Sequence, residues 1–111
     1  IGNYAFSGCS KLTQITIPSS VTSIENNTFY KCESLMQISI PSSLLFIGSD
    51  VFHGCTKLMQ IEIPSSVIYI GSSAFSECPS LTQITMPSSL MGENDFNKKI
   101  GLSSEVNVIY N

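Results

Sequence analysis

Residues 55–78 read CTKLMQIEIPSSVIYIGSSAFSEC, and close versions of this stretch follow one another along nearly the whole chain at a step of 23 residues. The cysteines show the step most plainly, since they stand at Cys9, Cys32, Cys55 and Cys78. The prolines repeat it at Pro18, Pro41, Pro64 and Pro87. A fixed period of this length is typical of a solenoid, in which each coil contacts only its neighbours. The 111 residues therefore predict one domain of stacked coils.

A short alternating segment in each repeat predicts a strand. Polar and apolar residues alternate over positions 14–17, 37–40, 60–63 and 83–86, which is the period of a half-buried strand. Each segment runs into a proline, which has no N–H for a hydrogen-bond ladder. Because the segments recur in one direction, one coil apart, we expect them to pair side by side as a parallel sheet, about 4.8 Å apart.

The rest of each repeat predicts a return path for the chain. After Pro-Ser-Ser the apolar residues step by three, as at Val21 and Ile24, which suits an irregular or 3₁₀-like segment. A short turn, of up to one helical turn, then carries a phenylalanine that we expect to fill the wide side of each coil: Phe6, Phe29, Phe52 and Phe75. One coil alone cannot bury enough apolar surface to offset the entropy cost of ordering its chain, so stacking is required.

The pattern breaks in residues 88–111. Glu93 falls where an isoleucine is due, and Lys98 stands at the place of the next phenylalanine. Charge at core positions is what a terminal coil facing water should show. We therefore predict repeats over residues 1–87 and a degenerate capping repeat over 88–111, with a last strand at 105–108, one residue early in register. No equivalent cap is visible at residue 1, so that end is expected to expose its core face.

The four cysteines are predicted to be free. Equivalent positions of a solenoid stack with parallel side chains, whereas a disulfide needs two Cβ atoms that approach one another. We therefore expect a structural ladder of buried thiols that behave as small hydrophobes: Cys9, Cys32, Cys55 and Cys78. No two cysteines have metal-ligand spacing, and His53, the single histidine, is predicted to lie at the surface. No metal or other cofactor is expected.

Charge and hydropathy exclude several classes of function. Charged residues make up 12% of the chain, the net charge is −3 and arginine is absent, so the basic stripe of a nucleic-acid-binding protein is missing. No apolar run approaches the ~18 residues of a membrane helix, so membrane insertion of this fragment is not expected. The sequence also lacks an activated nucleophile, a metal cluster and a phosphate loop, so we predict that it is not an enzyme.

Outward strand positions form the first candidate interaction surface, here named the Gln face. Its invariant column is predicted to be a structural ladder in which each side-chain amide donates to the next: Gln14, Gln37, Gln60 and Gln83. The neighbouring outward positions vary, and they are the residues predicted to contact a partner: Thr16, Ser39, Glu62, Thr85, Met36 and Met59. Variation beside an invariant column is what a scaffold with changeable contacts would show.

The second candidate surface follows Pro-Ser-Ser and is here named the apolar strip: Leu45, Phe46, Ile68 and Tyr69. Other apolar residues already fill the core positions of this segment, so these four side chains are expected to be exposed and adjacent. Exposed apolar clusters often mark interaction sites. The alternative, that the four residues only cover one another, is left open by the sequence.

The repeat unit C-x-x-L-x-x-I-x-I-P-x-x-[VL]-x-x-I-G-x-x-A-F-x-x-C resembles the BspA-like leucine-rich repeat, and the resemblance covers about residues 1–90. It implies an α/β leucine-rich-repeat solenoid. In such a fold the coils form a curved right-handed stack, with the parallel sheet on the concave face, mostly short strands and turns, and little helix. Members of the family are commonly found in surface proteins of host-associated bacteria and parasitic protists, where they are associated with adhesion.

The function that the resemblance implies is a non-enzymatic protein–protein interaction module, part of a larger cell-surface or secreted adhesive protein. Its partner would be a protein, with host extracellular proteins as candidates, bound through the concave sheet or the apolar strip. The alternative function is structural. The uncapped N-terminal face would stack on the end of another chain and give an end-to-end homo-oligomer.

Overall fold

The computed structural model describes residues 2–91 and 96–111, and its elements repeat with the period of the sequence. In chain order the strands are β1 Gln14–Thr16, β2 Ser23–Ile24, β3 Gln37–Ser39, β4 Phe46–Ile47, β5 Gln60–Glu62, β6 Tyr69–Ile70, β7 Gln83–Met86 and β8 Asn107–Tyr110. The helical elements in these ranges are a 3₁₀ turn at Ser88–Leu90 and the helix α1 at Phe96–Lys99. Coils 1 to 4 are counted from Cys9, Cys32, Cys55 and Cys78. The predicted solenoid with little helix is confirmed.

The first strand of each coil lies parallel to the first strands of the neighbouring coils. Gln14 lies opposite Gln37 in the β1–β3 pair, and Gln60 lies opposite Gln83 in the β5–β7 pair. The predicted in-register pairing is thus confirmed within these pairs. The strands β3 and β5 are also neighbours in space, but no hydrogen-bond ladder joins them. The first strands therefore form two sheets, β1–β3 and β5–β7–β8.

The return segments are more regular than predicted. Strands β2, β4 and β6 form a second parallel sheet where an irregular or 3₁₀-like path was expected. The N–H of Gly48 donates to the carbonyl of Ile24 at 2.9 Å, and the N–H of Gly71 donates to that of Ile47 at 2.8 Å. Stacking gives each two-residue strand a partner in the next coil, so a segment too short to form a strand alone forms one here. Within the described ranges, a 3₁₀ turn forms only at Ser88–Leu90.

The turns between coils are built around a column of phenylalanines. The ring centroids of Phe6, Phe29, Phe52 and Phe75 lie 5.4–5.7 Å apart in stacked pairs. The last three rings are at most 1% exposed, which confirms that phenylalanine fills each coil. The N–H of Phe52 donates to the carbonyl of Ala74 at 2.8 Å, so each turn is also tied to the next through its backbone. These turns are not helical, and only the last coil places a helix, α1, near this position.

The same turns require left-handed backbone at two places in each coil. The first place has φ near +60° at Asn27, Asp50 and Ser73. The second place, four residues later, has positive φ at Lys31, Gly54 and Glu77. Glycine adopts this region without strain, but the chain uses it at few of these positions. The repeated left-handed geometry is therefore hidden in the sequence and enforced by the stack.

The last strand corrects one prediction about the capping repeat. Strand β8 begins at Asn107, which pairs with Gln83 and so lies one residue late in register, whereas the sequence suggested a strand at 105–108, one residue early. Alternation has a period of two, so both placements put apolar side chains inward. The N–H of Asn107 donates to the carbonyl of Thr82 at 2.8 Å, which selects the later register. Glu93 lies outside the described residues, and the boundary at residue 88 stays a prediction.

We expect Phe52→Ala to lower the free energy of unfolding by about 3–5 kcal/mol, because it leaves a cavity between two buried rings. Phe46→Ala is the matched control, since Phe46 is 44% exposed and its loss should cost less than about 1 kcal/mol. Urea unfolding followed by circular dichroism measures both values. Equal losses for the two variants would show that the phenylalanine column does not hold the coils together.

Candidate interaction surfaces

The glutamine column lies where the sequence placed it. Gln14, Gln37 and Gln60 are exposed and Gln83 is half-buried, and strand register aligns the members within each pair. Among the described residues, side-chain hydrogen bonds are donated by threonine, serine, cysteine and asparagine, and none joins two of these glutamines. The amide ladder therefore stays a prediction, since the backbone already holds the column in line.

The variable positions of the Gln face are accessible to a partner. Met36 and Met59 are 47% and 56% exposed. Thr16, Ser39 and Glu62 are exposed as well, whereas Thr85 is half-buried beneath the adjoining strand β8. A groove of about 740 Å³ crosses coils 2 to 4 on this face, and it brings together five of the predicted contact residues: Met36, Ser39, Met59, Glu62 and Thr85. Thr16 does not line the groove.

The floor of this groove contains the unpaired junction of β3 and β5, here named the seam. On either side the ladder is closed: the N–H of Met36 donates to Thr13 at 2.8 Å, and that of Thr82 donates to Met59 at 2.9 Å. The equivalent bond from Met59 to the carbonyl of Met36 is not formed in the described part of the chain. The seam thus leaves backbone donors and acceptors of two strand edges facing each other without a ladder.

The other end of the seam shows the same interruption. The N–H of Ile17 donates to Ser39 at 3.0 Å and that of Ile63 donates to Thr85 at 2.8 Å, whereas Ile40 makes no such bond to Glu62 among the described residues. Ile40 is also half-buried, although Ile17 and Ile63, one coil away on each side, are at most 3% exposed. The seam therefore opens a path from the Gln face to the apolar core.

The seam is local, because coils 2 and 3 are joined elsewhere. On the second sheet the N–H of Ile68 donates to the carbonyl of Leu45 at 2.9 Å. In the turns the Phe52 and Phe75 rings stack at 5.4 Å. Nothing in the sequence marks this interruption, since β3 and β5 carry the same Gln-Ile signature as the paired strands.

The apolar strip is exposed and contiguous, as expected. Its side chains are 37–61% exposed, and Phe46 lies directly opposite Tyr69 in the β4–β6 pair. Met91, one step of 23 residues after Ile68, is 57% exposed and lengthens the column. Sequence reasoning missed Met91, although the repeat step from Leu45 and Ile68 leads to it. Whether the strip binds a partner stays a prediction.

The cysteine column is free of disulfides and does more than fill space. All four cysteines are reduced. The Sγ atoms of Cys32, Cys55 and Cys78 each donate to the carbonyl of a phenylalanine 26 residues earlier, at 3.0–3.3 Å. Burial raises the pKa of Cys32 and of Cys78 to about 11, and it also raises the pKa of Cys55. These thiols are poor nucleophiles at neutral pH because they remain protonated.

His53 is not the free surface residue that the sequence suggested. Its side chain is only 18% exposed and stacks on the ring of Tyr30 at 5.1 Å. The Nε2 atom lies 2.6 Å from Oε2 of Glu77, and Nδ1 lies 3.4 Å from Oδ1 of Asp50. The histidine therefore links the turns of three successive coils. The sequence could not show this, because the contact depends on which residues occupy the same place one coil away.

The described residues offer no arrangement for catalysis at a metal or for spanning a bilayer. No group of three histidine, cysteine, aspartate or glutamate side chains within residues 2–91 and 96–111 is placed to bind a metal ion. No helix in the same ranges has the length and apolarity needed to cross a membrane. The features that remain as candidate sites are the groove on the Gln face and the apolar strip.

Comparison with known families agrees with the repeat geometry. A family profile described as "BspA type Leucine rich repeat region" matches residues 1–107 in six copies. No curated protein is similar enough to the chain to count as a match.

Three solved structures are similar to this chain. A leucine-rich cell surface protein from Faecalibacterium prausnitzii A2-165 is 42% identical with a TM-score of 0.70, over 72% of this chain and 21% of that protein. A leucine-rich repeat protein of T. pallidum is 29% identical with a TM-score of 0.61, over 80% and 52%. One from Bacteroides ovatus ATCC 8483, 23% identical with a TM-score of 0.64 over 95% and 32%, supports the fold alone. The chain spans between about a fifth and a half of these proteins' lengths.

We expect the free energy of unfolding to fall as the pH rises from about 9 to about 11. The unfolded chain loses its thiol protons near the ordinary pKa of 9.0, whereas the folded chain keeps them until the raised pKa of Cys32 and Cys78 is reached. The slope is up to about 1.4 kcal/mol per pH unit for each such thiol. Urea unfolding across this range measures it, with the double variant C32A/C78A as control. A variant that is as sensitive to pH as the parent would contradict the assignment.

We also expect the seam to be visible in hydrogen exchange. The amides of Ile40 and Met59 should exchange at least about tenfold faster than those of Ile63 and Thr82, because only the latter pair is held in a ladder. Native-state exchange resolved by NMR gives the four rates in one sample. Equal protection of the two pairs would mean that the ladder closes between β3 and β5.

Proposed function

The chain belongs to the BspA-type leucine-rich-repeat family, and we propose on that premise that it is a protein-binding segment of a cell-surface adhesive protein. Leucine-rich-repeat proteins generally mediate protein–protein interaction. The observation that carries the proposal is the groove on the Gln face. It gathers the variable, exposed side chains of three coils on a regular scaffold, and solvent-accessible grooves of this kind are where protein scaffolds present changeable contacts.

The composition of the groove suits a protein ligand. It combines flexible apolar side chains, Met36 and Met59, with glutamine and threonine side chains that hydrogen-bond in either direction. Methionine adapts to the shape of a partner, and amides and hydroxyls fix its orientation. The function supported in this way is binding without chemistry, since none of the described side chains forms a nucleophile–base pair or a metal cluster.

Placement at the cell surface rests on the relatives. The Faecalibacterium prausnitzii structure is of a protein described as a leucine-rich cell surface protein, and it shares 42% of its aligned residues with this chain. We propose the same location here, with a host extracellular protein as the ligand. The full protein's architecture and partners are part of this proposal, since the chain spans only a fraction of its relatives' lengths.

A second candidate surface is favoured by one observation. The apolar strip exposes four large apolar side chains in adjacent coils, and Met91 extends it further. Contiguous exposed apolar surface is uncommon on a monomer without a partner. The groove is preferred as the ligand site because it is concave and mixes polar with apolar groups, which gives specificity as well as contact area.

The chain itself provides matched variants that separate the two surfaces. M36T/M59T gives the groove the residues found at Thr13 and Thr82, and L45T/F46S gives the strip those found at Thr22 and Ser23. Both variants should fold, because other coils already tolerate these residues. We expect the groove variant to weaken binding to a ligand found among matrix and serum proteins by at least about tenfold, and the strip variant to leave it within about twofold. Surface plasmon resonance gives both affinities.

The opposite pattern, with only L45T/F46S weakening binding, would move the site to the apolar strip. Full affinity in both variants would place the ligand on neither surface. The predicted end-to-end association is checked on the same samples by light scattering, where a constant monomer mass at all concentrations would reject it.

A further inference from the structure

The geometry points to the seam between β3 and β5 as the seat of one kind of ligand: an extended peptide segment of another protein that carries a lysine or arginine opposite Glu62. This inference rests on the proposed protein-binding function and names its partner more closely. Three independent features of the seam support it: unpaired backbone groups, an opening to the core and a single acidic charge.

Unpaired backbone groups make the seam receptive to main chain. Between β1 and β3 and between β5 and β7 these groups are used up within the fold. At the seam the N–H groups of Met59 and Ile40 and the facing carbonyls of Met36 and Glu62 form no ladder bond. Leaving such groups without a partner is costly away from water, and an extended peptide is the ligand that offers alternating donors and acceptors at matching spacing.

The opening to the core provides a place for one apolar side chain of the peptide. Ile40 and Ile38 are half-buried at the floor of the groove, and the exposed methionines Met36 and Met59 stand beside it. An extended segment alternates its side chains between two sides, so a residue directed at Ile40 leaves its neighbours directed away. Burying an apolar side chain there covers the one strand isoleucine of coils 2 and 3 that faces the Gln face without a closed ladder above it.

Charge selects among peptides. Glu62 is the one charged residue that lines the groove, within the described residues, and it stands at one end of the seam. The whole chain carries a net charge of −3 and no arginine, so the surrounding field also favours a cationic ligand. A lysine or arginine near the end of the segment therefore fits the groove, whereas an acidic residue there meets repulsion.

The ligand's extended form follows from the shape of the site. The groove runs across coils 2 to 4 and is open to solvent along its length, so it accepts a segment without a folded domain around it. A compact protein surface would reach the methionines but not the backbone groups recessed between the strands. The seam thus discriminates between an extended segment and a folded surface.

The test uses the full chain, immobilised, against a phage-displayed library of random decapeptides. We expect enrichment of peptides that alternate apolar and polar residues and contain lysine or arginine. A synthetic peptide from the winning class should lose at least about tenfold in affinity on M36T/M59T. On Glu62→Thr, which installs the residue of Thr16 and Thr85, it should lose about two- to fivefold, and this loss should shrink at high salt. L45T/F46S is the control that should bind normally.

Hydrogen exchange in the presence of the peptide gives a readout that a surface contact alone would not move. Bound peptide should slow exchange of the Ile40 and Met59 amides while leaving Ile63 and Thr82 unchanged. The proposal is overturned if no such peptide is enriched, if acidic peptides prevail, or if these two amides exchange as fast with peptide as without.

Failure of this inference is distinguishable from failure of the proposed function. A matrix or serum protein that loses affinity on M36T/M59T, together with peptides that do not bind, would leave the groove as a site for a folded surface. Loss of neither kind of binding on M36T/M59T would remove the groove from both proposals.

Discussion

Every coil of this protein is held by hydrogen bonds that it makes to the same atoms of the next coil. The N–H of Phe29 donates to Val51 and that of Phe52 donates to Ala74, one repeat on. Such bonds fix the step of the backbone, and a fixed step places each side chain directly above its equivalent. Phenylalanine therefore stacks on phenylalanine and cysteine on cysteine, and the core is a set of columns. The length of the repeat cannot change in one coil without breaking all of these columns at once.

Where the columns are strict the protein is scaffold, and where they are interrupted it offers a site. The seam between β3 and β5 illustrates this, because the same two coils are joined through Phe52 and Phe75 yet separate at the Gln face. A solenoid can tolerate such an interruption, since its stability is a sum over several interfaces between neighbours. The positions that vary in the sequence lie on the same face as the interruption, so the chemistry of recognition and the backbone that is free to take part in it coincide.

The features that sequence reasoning predicted are those that the period alone determines. Strand pairing, the buried Phe52 and the unbridged Cys55 each follow from identical residues at identical steps. The features it missed depend on contacts between non-identical residues, as when His53 stacks on Tyr30 and meets Glu77, or on small shifts of backbone, as at the seam. The last strand was misplaced for a third reason: alternation with a period of two cannot distinguish registers that differ by two residues.

Stacking in register also explains why this surface carries so little charge. Any ionised residue repeated at the next coil would face its own kind across the spacing of a parallel sheet, about 4.8 Å, where like charges repel strongly. Between residues 9 and 87 no charged side chain has another one coil away: Lys11 is followed by Ser34, Lys57 by Ser80, and Glu62 is flanked by Ser39 and Thr85. Serine, threonine and asparagine take up the solvent-facing places instead. Adding coils to such an array must therefore alternate ionised with neutral polar residues, which sets an upper bound on its charge density that a globular protein of equal size does not have.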